Sequence, residues 1–403
     1  MPLDQSGSNP VKGWNRLSRY FRTCSFVERE VWDRPIRFFH WSMTVLLSAA
    51  LFSGWLDPAW QLDRHLLFGG MITGLLLFRL VWGVIGSEYS RFSSYFHHPI
   101  RLRDDFEGLW QGRLKLGSPG LNPTNAWVSM LLLLTLCALV VSGLMTYGGE
   151  EHQGPLATLV SFNLGERSQA VHEGLSVLAM ILVALHVWIV QRESQLTRIP
   201  LLRSMVTGCK PLVNDDDQPV EHPPRDANLT WGLILGVIIL FVVDHTSKVL
   251  GQLPMDGWRP LQYPVVYQEK CGQCHWTIHP SLLPEETWQV VLSQLGHHFG
   301  KKVTLTGQEA VTISAFLLVH AAEDWNTDAA HRFRRSTVTP VQSITGHPVW
   351  QKIHGQIDAT VFDNPPVTSR VNCPVCHHDA LSGRFDSHAI HLPKSVISPA
   401  NLK

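Results

Sequence analysis

Charged residues are scarce in this sequence of 403 residues: Asp, Glu, Lys and Arg make up 16%, against about 25% in an average soluble domain. Net charge is also absent, since 33 basic residues balance 33 acidic ones, so no nucleic-acid partner is expected. The seven cysteines are an odd count, which argues against a framework built only of disulfides. An apolar fraction of 45% excludes a wholly disordered chain. The counts of 21 His and 15 Trp are high, and many His together with few charged residues indicate a membrane protein that binds metal or haem.

Hydropathy divides into five apolar blocks, each close to the roughly 20 residues that a helix needs to cross about 30 Å of hydrocarbon. The blocks cover residues 36–56, 66–86, 125–146, 171–191 and 229–248. Buried core helices of a soluble protein are the alternative. The blocks are nearly free of charge, however, and they are flanked by Trp and Arg, as transmembrane helices are. The sequence therefore predicts an all-α membrane protein with five spans.

The distribution of Lys and Arg between the loops predicts which side of the membrane each loop faces. The N-terminal segment, the loop after the second block and the segment after the fourth block together hold 17 Lys and Arg. The two other short loops hold one each, so the rich segments are predicted to be cytoplasmic. Five crossings then place everything after residue 250 on the periplasmic side of a bacterial inner membrane.

Two Cys-x-x-Cys-His strings lie in the C-terminal segment that this topology places outside. Their residues are Cys271, Cys274 and His275 in the first string, and Cys373, Cys376 and His377 in the second. This spacing attaches a c-type haem, because the two thiols bond covalently to the haem and the adjacent His supplies one axial nitrogen to the iron. A zinc site of four thiolates is the alternative. A His directly after each Cys pair, on the predicted outer side, favours two haem c groups.

The segment around these strings resembles the bacterial dihaem cytochrome c family. The resemblance rests on CGQCH at 271–275, HHFG at 297–300, WQKIHG at 350–355 and NCPVCHHDA at 372–380. Both haems of that family have two His ligands, which implies His298 and His354 as the distal ligands in this chain. We pair His298 with His275, and His354 with His377. His279 is a nearby rival ligand, and the sequence leaves the assignment of each distal His to its iron open.

Four histidines lie in or at the ends of the first four blocks, where a polar ring is costly and marks a functional site. His40 and His186 lie towards the cytoplasmic side, whereas His65 and His172 lie towards the outer side. His186 follows His172 by about 21 Å of helix, and both rings lie on one helix face. These depths pair His40 with His186 and His65 with His172, and each pair would bind one non-covalent haem b. Interfacial side chains that only hydrogen-bond within a bundle are the alternative.

The first four blocks resemble the prokaryotic cytochrome b561 family, which includes cytochrome b subunits of nickel–iron hydrogenases. The matching stretches are DRPIRFFHW at 33–41, FRLVWGVIG at 78–86, HEGLSVLAMILVALHV at 172–187 and MVTGCK at 205–210. The resemblance implies a four-helix bundle in which the four matched His ligate two b haems. The fifth block matches neither family and is interpreted as a tether. Arg37, Arg79 and Arg167 are candidates for contacts to haem propionates or quinone oxygens, with positive-inside anchoring as the alternative.

Together these patterns divide the chain into five parts. We expect a cytoplasmic N-terminal segment at 1–30, a four-span di-haem domain at 31–210, a cytoplasmic linker at 211–227, a fifth transmembrane helix at 228–250 and an exported dihaem cytochrome c domain at 251–403. The exported domain is expected to be small and mainly α-helix and coil. No catalytic residue can be assigned from the sequence.

The expected function is electron transfer through four haems, between the quinone pool in the membrane lipid and a periplasmic redox partner such as a soluble c-type haem protein. The resemblance implies that quinol is oxidised at the b domain and that electrons leave through the c haems. Three alternatives stay open: reverse flow from a periplasmic donor to quinone; a reductase of peroxide, oxygen or a nitrogen oxide with an open c haem; and a subunit that wires a separate dehydrogenase. A homodimer and a larger redox complex are both compatible with the sequence.

Overall fold

The structure is a computed structural model that describes residues 28–56, 62–96, 99–114, 120–211, 258–335 and 343–393, with a few helical positions between 232 and 245. It contains two compact units. The first comprises the described residues of 1–51, 67–140 and 174–244, and the second those of 52–66, 141–173 and 245–403. The boundaries between the units lie inside the long helices, so these helices contribute residues to both units.

Helices dominate the described residues. Those of the N-terminal half are α1 (Arg34–Trp55), α2 (Leu62–Ile85), α3 (Pro99–Gln111), α4 (Pro123–Glu150), α5 (Phe162–Thr197) and α6 (Leu201–Thr207). Those of the C-terminal half are α7 (Val265–Cys271), α8 (Glu285–Ser293), α9 (Gly307–Val319), α10 (Asp328–Phe333), α11 (Pro348–His354) and α12 (Ala359–Asp363). Short 3-10 turns connect many of them. Two strands, β1 (Glu28–Glu30) and β2 (Cys209–Pro211), form an antiparallel pair.

Four helices, α1, α2, α4 and α5, are long and apolar enough to cross a membrane. They have 22, 24, 28 and 36 residues, and a rise of about 1.5 Å per residue makes each longer than the roughly 30 Å of hydrocarbon. Large apolar side chains such as Phe38, Val45 and Ile181 are exposed, as contact with lipid requires. The first four predicted spans are confirmed, and the chain is a membrane protein.

The helices α4 and α5 are longer than the apolar blocks that predicted them. α5 begins at Phe162 rather than at the apolar residue 171 and ends at Thr197, just before Arg198 adopts a positive φ of 61° and Pro200 follows. Apolar content defines the part of a helix in the lipid, whereas the backbone hydrogen bonds continue until a residue breaks them. The predicted fifth span falls largely on residues outside the described ranges and stays a prediction, as does the linker at 211–227.

Asp33 ties together the segments around the start of α1 in the first unit. Its Oδ1 accepts a hydrogen bond from the backbone N–H of Ile36 at 2.8 Å, as an N-capping carboxylate does. Its Oδ2 accepts bonds from the indole N–H of Trp82 at 3.1 Å and from the hydroxyl of Ser90 at 2.7 Å. One carboxylate thereby fixes the entrance of α1 against the end of α2 and the turn that follows it.

The C-terminal residues of the second unit form a small helical domain around an apolar core. Tyr267, Trp288, Phe316 and Trp350 are among its buried side chains. The pattern at 306–309 predicts a capping box at the start of α9, and the structure confirms it. The Thr306 hydroxyl accepts from the backbone N–H of residue 309, and the side chain of that residue accepts from the Thr306 N–H. Short helices joined by turns are enough to form this domain, because the two expected covalent haems would add apolar surface to its core.

Residues directly after α4 in the second unit also contact the chain near its C-terminal end. The hydroxyl of Ser387 donates to Oε2 of Glu151 at 3.1 Å. Burial, together with the nearby carboxylates of Asp328 and Asp386, raises the pKa of Glu151 from its ordinary 4.5 to about 7. The folded protein therefore favours the neutral form of this carboxyl.

Glu151→Gln is expected to stabilise the protein at alkaline pH. A raised carboxyl pKa means that the folding penalty of the charged form is absent below about pH 4.5, grows as the pH rises and is complete above about pH 7. A neutral amide avoids this penalty, so the midpoint of thermal unfolding should rise at pH 8 and change little at pH 4.5. Glu286→Gln, at an exposed site on α8, is the matched control. An equal effect of both variants at pH 8 would contradict the prediction.

Candidate functional site

Eight histidines predicted from the sequence lie in four close pairs. The distances between ring centroids are 6.4 Å for His40 and His186, 6.0 Å for His65 and His172, 6.4 Å for His275 and His298, and 6.1 Å for His354 and His377. The structure therefore brings together every pair that the sequence predicted. Both membrane pairs join different helices, α1 with α5 and α2 with α5.

These distances fit one iron between the two rings of each pair. A metal–imidazole nitrogen bond is about 2 Å long, so two rings on opposite sides of one metal ion have centroids roughly 6 Å apart. All four pairs lie within 6.0–6.4 Å. Rings in direct contact would be closer: His378 and His391, which are not among the predicted ligands, stack at 4.4 Å. The spacing of the predicted pairs matches the bis-histidine coordination of haem iron.

The pair of His65 and His172, called the outer pair after its predicted side of the membrane, has the same local arrangement around each ring. Nδ1 of His65 lies 3.2 Å from the hydroxyl of Ser53, and Nδ1 of His172 lies 3.1 Å from the hydroxyl of Ser142. A glycine follows each serine, and a Cβ on either glycine would lie 3.1 Å from the imidazole Cε1. Each Ser-Gly dipeptide therefore admits the ring closely and engages its Nδ1, which leaves Nε2 for iron. Sequence reasoning missed these serines, although the repeat of Ser-Gly at 53–54 and 142–143 was a usable signal.

The pair of His40 and His186 has a different environment. Nδ1 of His40 and Nδ1 of His186 are buried and have no hydrogen-bond partner within the described ranges. The ring of Trp41 lies edge-on to His40 at 5.2 Å. Two pairs with unequal hydrogen bonding are expected to give their irons unequal reduction potentials.

The two pairs of the C-terminal domain contain one CxxCH histidine each. Nδ1 of His275 lies 2.7 Å from the carbonyl of Trp276, and Nδ1 of His354 lies 3.0 Å from the carbonyl of Trp350. Burial lowers the pKa of His377 to about 4, with a further contribution from its partner His354. A ring that ligates iron must be neutral, so this environment suits ligation.

The four motif cysteines are free, as thioether formation requires. They are Cys271, Cys274, Cys373 and Cys376. A zinc site of four thiolates would need the two strings to meet, and in the part of the chain that the structure describes no three His, Cys, Asp or Glu residues are placed to hold one metal ion. The arrangement therefore fits two separate covalent haems.

Two other buried histidines of the domain, His279 and His347, have structural contacts. His279 is fully buried, and its Nδ1 accepts from the backbone N–H of Ser281, which caps a 3-10 turn. His347 caps α11 in the same way and bonds through Nε2 to the carbonyl of Phe333 at 2.9 Å. Among the described residues, the ring neighbours of His279 are Tyr263 and Trp325 rather than a second His at the spacing of the four pairs, so it is a weaker candidate than His298 for the first iron.

The three candidate arginines have different surroundings. Arg37 donates to the backbone carbonyl of Val206. Arg79 is buried, lies 4.5 Å from the ring centroid of Phe92 and donates to the hydroxyl of Tyr95 at 3.1 Å. Arg167 is exposed. The protein partners of Arg37 and Arg79 favour structural roles, and contacts of these three side chains to propionates or quinone stay predictions.

Ser142→Ala is expected to weaken retention of one b-type haem without affecting the c-type haems. Removing a hydrogen bond to the second nitrogen of a ligating His typically lowers metal affinity about 10- to 100-fold. The measurement is the ratio of b-type to c-type haem after prolonged washing in detergent, and Ser53→Ala should give the same result. Ser48→Ala is the matched control, because its exposed hydroxyl bonds to the carbonyl of Thr44 within its own helix α1. Equal haem loss from the control would contradict the prediction.

Two protein families match separate parts of the chain. Residues 31–208 match the family model of prokaryotic cytochrome b561, and residues 267–385 match the model of dihaem cytochrome c. Both resemblances stated from the sequence are confirmed. The matched segments lie inside the predicted domains at 31–210 and 251–403, whose boundaries stay predictions. The pairs His40/His186 and His65/His172 fall in the first match, and the pairs His275/His298 and His354/His377 in the second.

Solved structures similar to the chain include two proteins from different bacteria. A dihaem cytochrome c from Rhodobacter sphaeroides is 23% identical, and the match covers 32% of this chain and 100% of that one, with a TM-score of 0.27. A dihaem cytochrome c from Shewanella baltica OS155 is 29% identical over 33% of this chain and 96% of that one, also with a TM-score of 0.27. A search among curated proteins gives no match.

Proposed function

We propose that this chain, which joins a segment similar to prokaryotic cytochrome b561 to a segment similar to dihaem cytochrome c, is a transmembrane haem protein that transfers electrons. We infer that it passes electrons from quinol in the membrane, through two b-type and two c-type centres, to a periplasmic redox partner. A soluble c-type haem protein is the kind of partner that we expect.

The observation that carries this proposal is the spacing of the four histidine pairs. Each pair has the separation that suits two axial nitrogens on one iron, and two pairs fall in each matched segment. Bound haem supplies a one-electron iron couple at each pair. The histidines hold that iron from both sides, the serines of the outer pair orient their rings, and the motif cysteines keep the two c haems covalently attached.

Membrane-embedded ligands support a lipid-soluble donor. The pairs at His40/His186 and His65/His172 belong to helices long and apolar enough to cross the membrane. An electron donor that dissolves in the lipid could reach haems bound at these pairs, and quinol is such a donor. The excess of Lys and Arg in the segments predicted to be cytoplasmic supports a periplasmic position for the c domain. Electrons would then leave on the outer side of the inner membrane.

The spacing gives no support to a reductase with an open haem. Both CxxCH histidines have a second imidazole at the distance expected for a ligand, His298 for the first and His354 for the second. A substrate such as peroxide or a nitrogen oxide would first have to displace that imidazole. Electron transfer, rather than chemistry at an open iron, is therefore the function that the site supports.

An anaerobic absorption spectrum of the purified chain, recorded before and after addition of excess quinol, tests the proposal. We expect equal amounts of b-type and c-type haem, and growth of both reduced bands on quinol addition. A response of the b bands alone would show that electrons do not flow from quinol to the c domain. Rapid reduction of both by a reduced soluble cytochrome c, with none by quinol, would establish the reverse flow.

A further inference from the structure

The end of α4 contacts the helix α10 of the dihaem c domain, and both lie in the second unit. Nη2 of Arg332 lies 3.1 Å from Oε2 of Glu150, and Nε of Arg332 lies 2.7 Å from Oδ1 of Asp328. Glu150 is only 6% exposed. A buried carboxylate is costly unless it is paired, so Arg332 compensates the charge of α4's last residue by joining it to α10.

A second arginine makes a similar connection to the start of α5. Arg335 forms an ion pair with Glu166, and its Nη2 donates to the side-chain oxygen of Asn163 at 2.7 Å. Its guanidinium carbon lies 5.1 Å from the ring centroid of Phe162. This one side chain therefore contacts three residues in the first two turns of the helix that carries His172.

An aromatic stack lies between these two arginine contacts. The rings of Phe162 and His331 lie 3.9 Å apart and are parallel within 3°. Both residues are buried, and Nε2 of His331 lies 2.6 Å from Oδ1 of Asn326, which fixes the orientation of the ring. Burial and the adjacent Arg334 lower the pKa of His331 to about 3, so its ring is neutral. A buried stack surrounded by ion pairs has the composition of a specific interface.

We propose that these contacts form a docking interface, residues 150–166 with residues 328–335, that holds the dihaem c domain in one position for electron transfer from the outer b site. In this proposal Arg332 and Arg335 are positioning residues. A tethered domain that moved freely would exchange electrons only during encounters, whereas a docked domain keeps its distance to the outer b site constant. Charge pairs set such an orientation and are sensitive to salt.

The inference rests on the proposed function only in requiring iron at the pair His65/His172 and in the c domain. His65 and His172 would hold an iron that supplies a one-electron couple, so each transfer would oxidise that iron from ferrous to ferric and reduce one iron of the c domain from ferric to ferrous. No bond is made or broken, and no proton moves.

Charge reversal on the purified full-length holoprotein tests the docking interface. Electrons are injected by flash reduction of a dye, and the rate of equilibration between b-type and c-type haem is followed by absorbance. Arg335→Glu is expected to slow this equilibration at least about tenfold, because like charges then face each other across the interface. Haem content and both sets of midpoint potentials should stay unchanged, and hydrogen–deuterium exchange at residues 151–161 should increase.

The swap Arg335→Glu with Glu166→Arg is the decisive variant, since both side chains are partly exposed and tolerate reversal. It should restore both the rate and the protection from exchange. Arg335→Gln removes the ion pair without adding a like charge, and it should slow equilibration in the same direction but less. Glu286→Lys on α8, an exposed reversal outside the interface, should behave as the wild type.

Two results would overturn the inference. One is an Arg335→Glu variant that exposes residues 151–161 to exchange but equilibrates at the wild-type rate, because the contact would then be structural only. The other is a slow variant that the swap does not restore. A wild-type protein that equilibrates normally after the flash but is not reduced by quinol would instead overturn the quinol donor and leave the docking interface intact.

Discussion

Replacing His172 with Ala is expected to lower the b-type haem content by about half and to leave the c-type content unchanged, because loss of one axial ligand releases a non-covalent haem. The ring of His172 faces only one predicted partner, His65, at 6.0 Å. The separate pair of His40 and His186 keeps its own two rings. The measurement is a pyridine haemochrome spectrum, which resolves b-type from c-type haem in one sample.

Paired substitutions supply the controls for this prediction. His65→Ala should reproduce the loss seen in His172→Ala, and the double variant of these two residues should lose no more than either single one. Combining His172→Ala with His40→Ala should remove all b-type haem, because the two changes fall in different pairs. Complete loss of b-type haem in the His65/His172 double variant would show that the histidines pair differently.

His298→Ala is expected to leave both c haems covalently attached but to open the iron of the first CxxCH site. Attachment depends on Cys271 and Cys274, whereas the ring of His298, 6.4 Å from His275, is the proposed second axial ligand. About half of the c-type haem should become high-spin and bind carbon monoxide when it is reduced. Haem staining of a denaturing gel checks attachment, and a carbon monoxide difference spectrum checks the open position.

The adjacent His297 provides a matched control, since it is exposed and lies one residue away. His297→Ala should bind no carbon monoxide and should resemble the wild type. His279→Ala is expected to reduce stability instead, because this residue caps a turn and packs against Trp325. Carbon monoxide binding by either of these variants, with none by His298→Ala, would transfer the distal role to that residue.

Local patterns in the sequence predicted much of this protein. Four membrane helices follow from apolar blocks of about 20 residues, since hydrophobic thickness alone demands that length. The CxxCH strings and the Thr306/Glu309 capping box are also local, because each depends on residues a few positions apart. Depth along the helices even predicted which membrane histidines lie close together. These features need no knowledge of how distant segments meet.

Other features were decided by the tertiary structure. The helices α4 and α5 extend beyond their apolar blocks, and α3 was not predicted at all, because its mixed composition gives no span-length signal. The serine contacts to His65 and His172 depend on neighbouring helices being in register. Arg332 and Glu150 are 182 residues apart in the chain, and nothing near either residue indicates the other. Sequence patterns predict features that depend on neighbouring residues. Contacts between residues far apart in the chain form only when packing brings their segments within hydrogen-bonding distance.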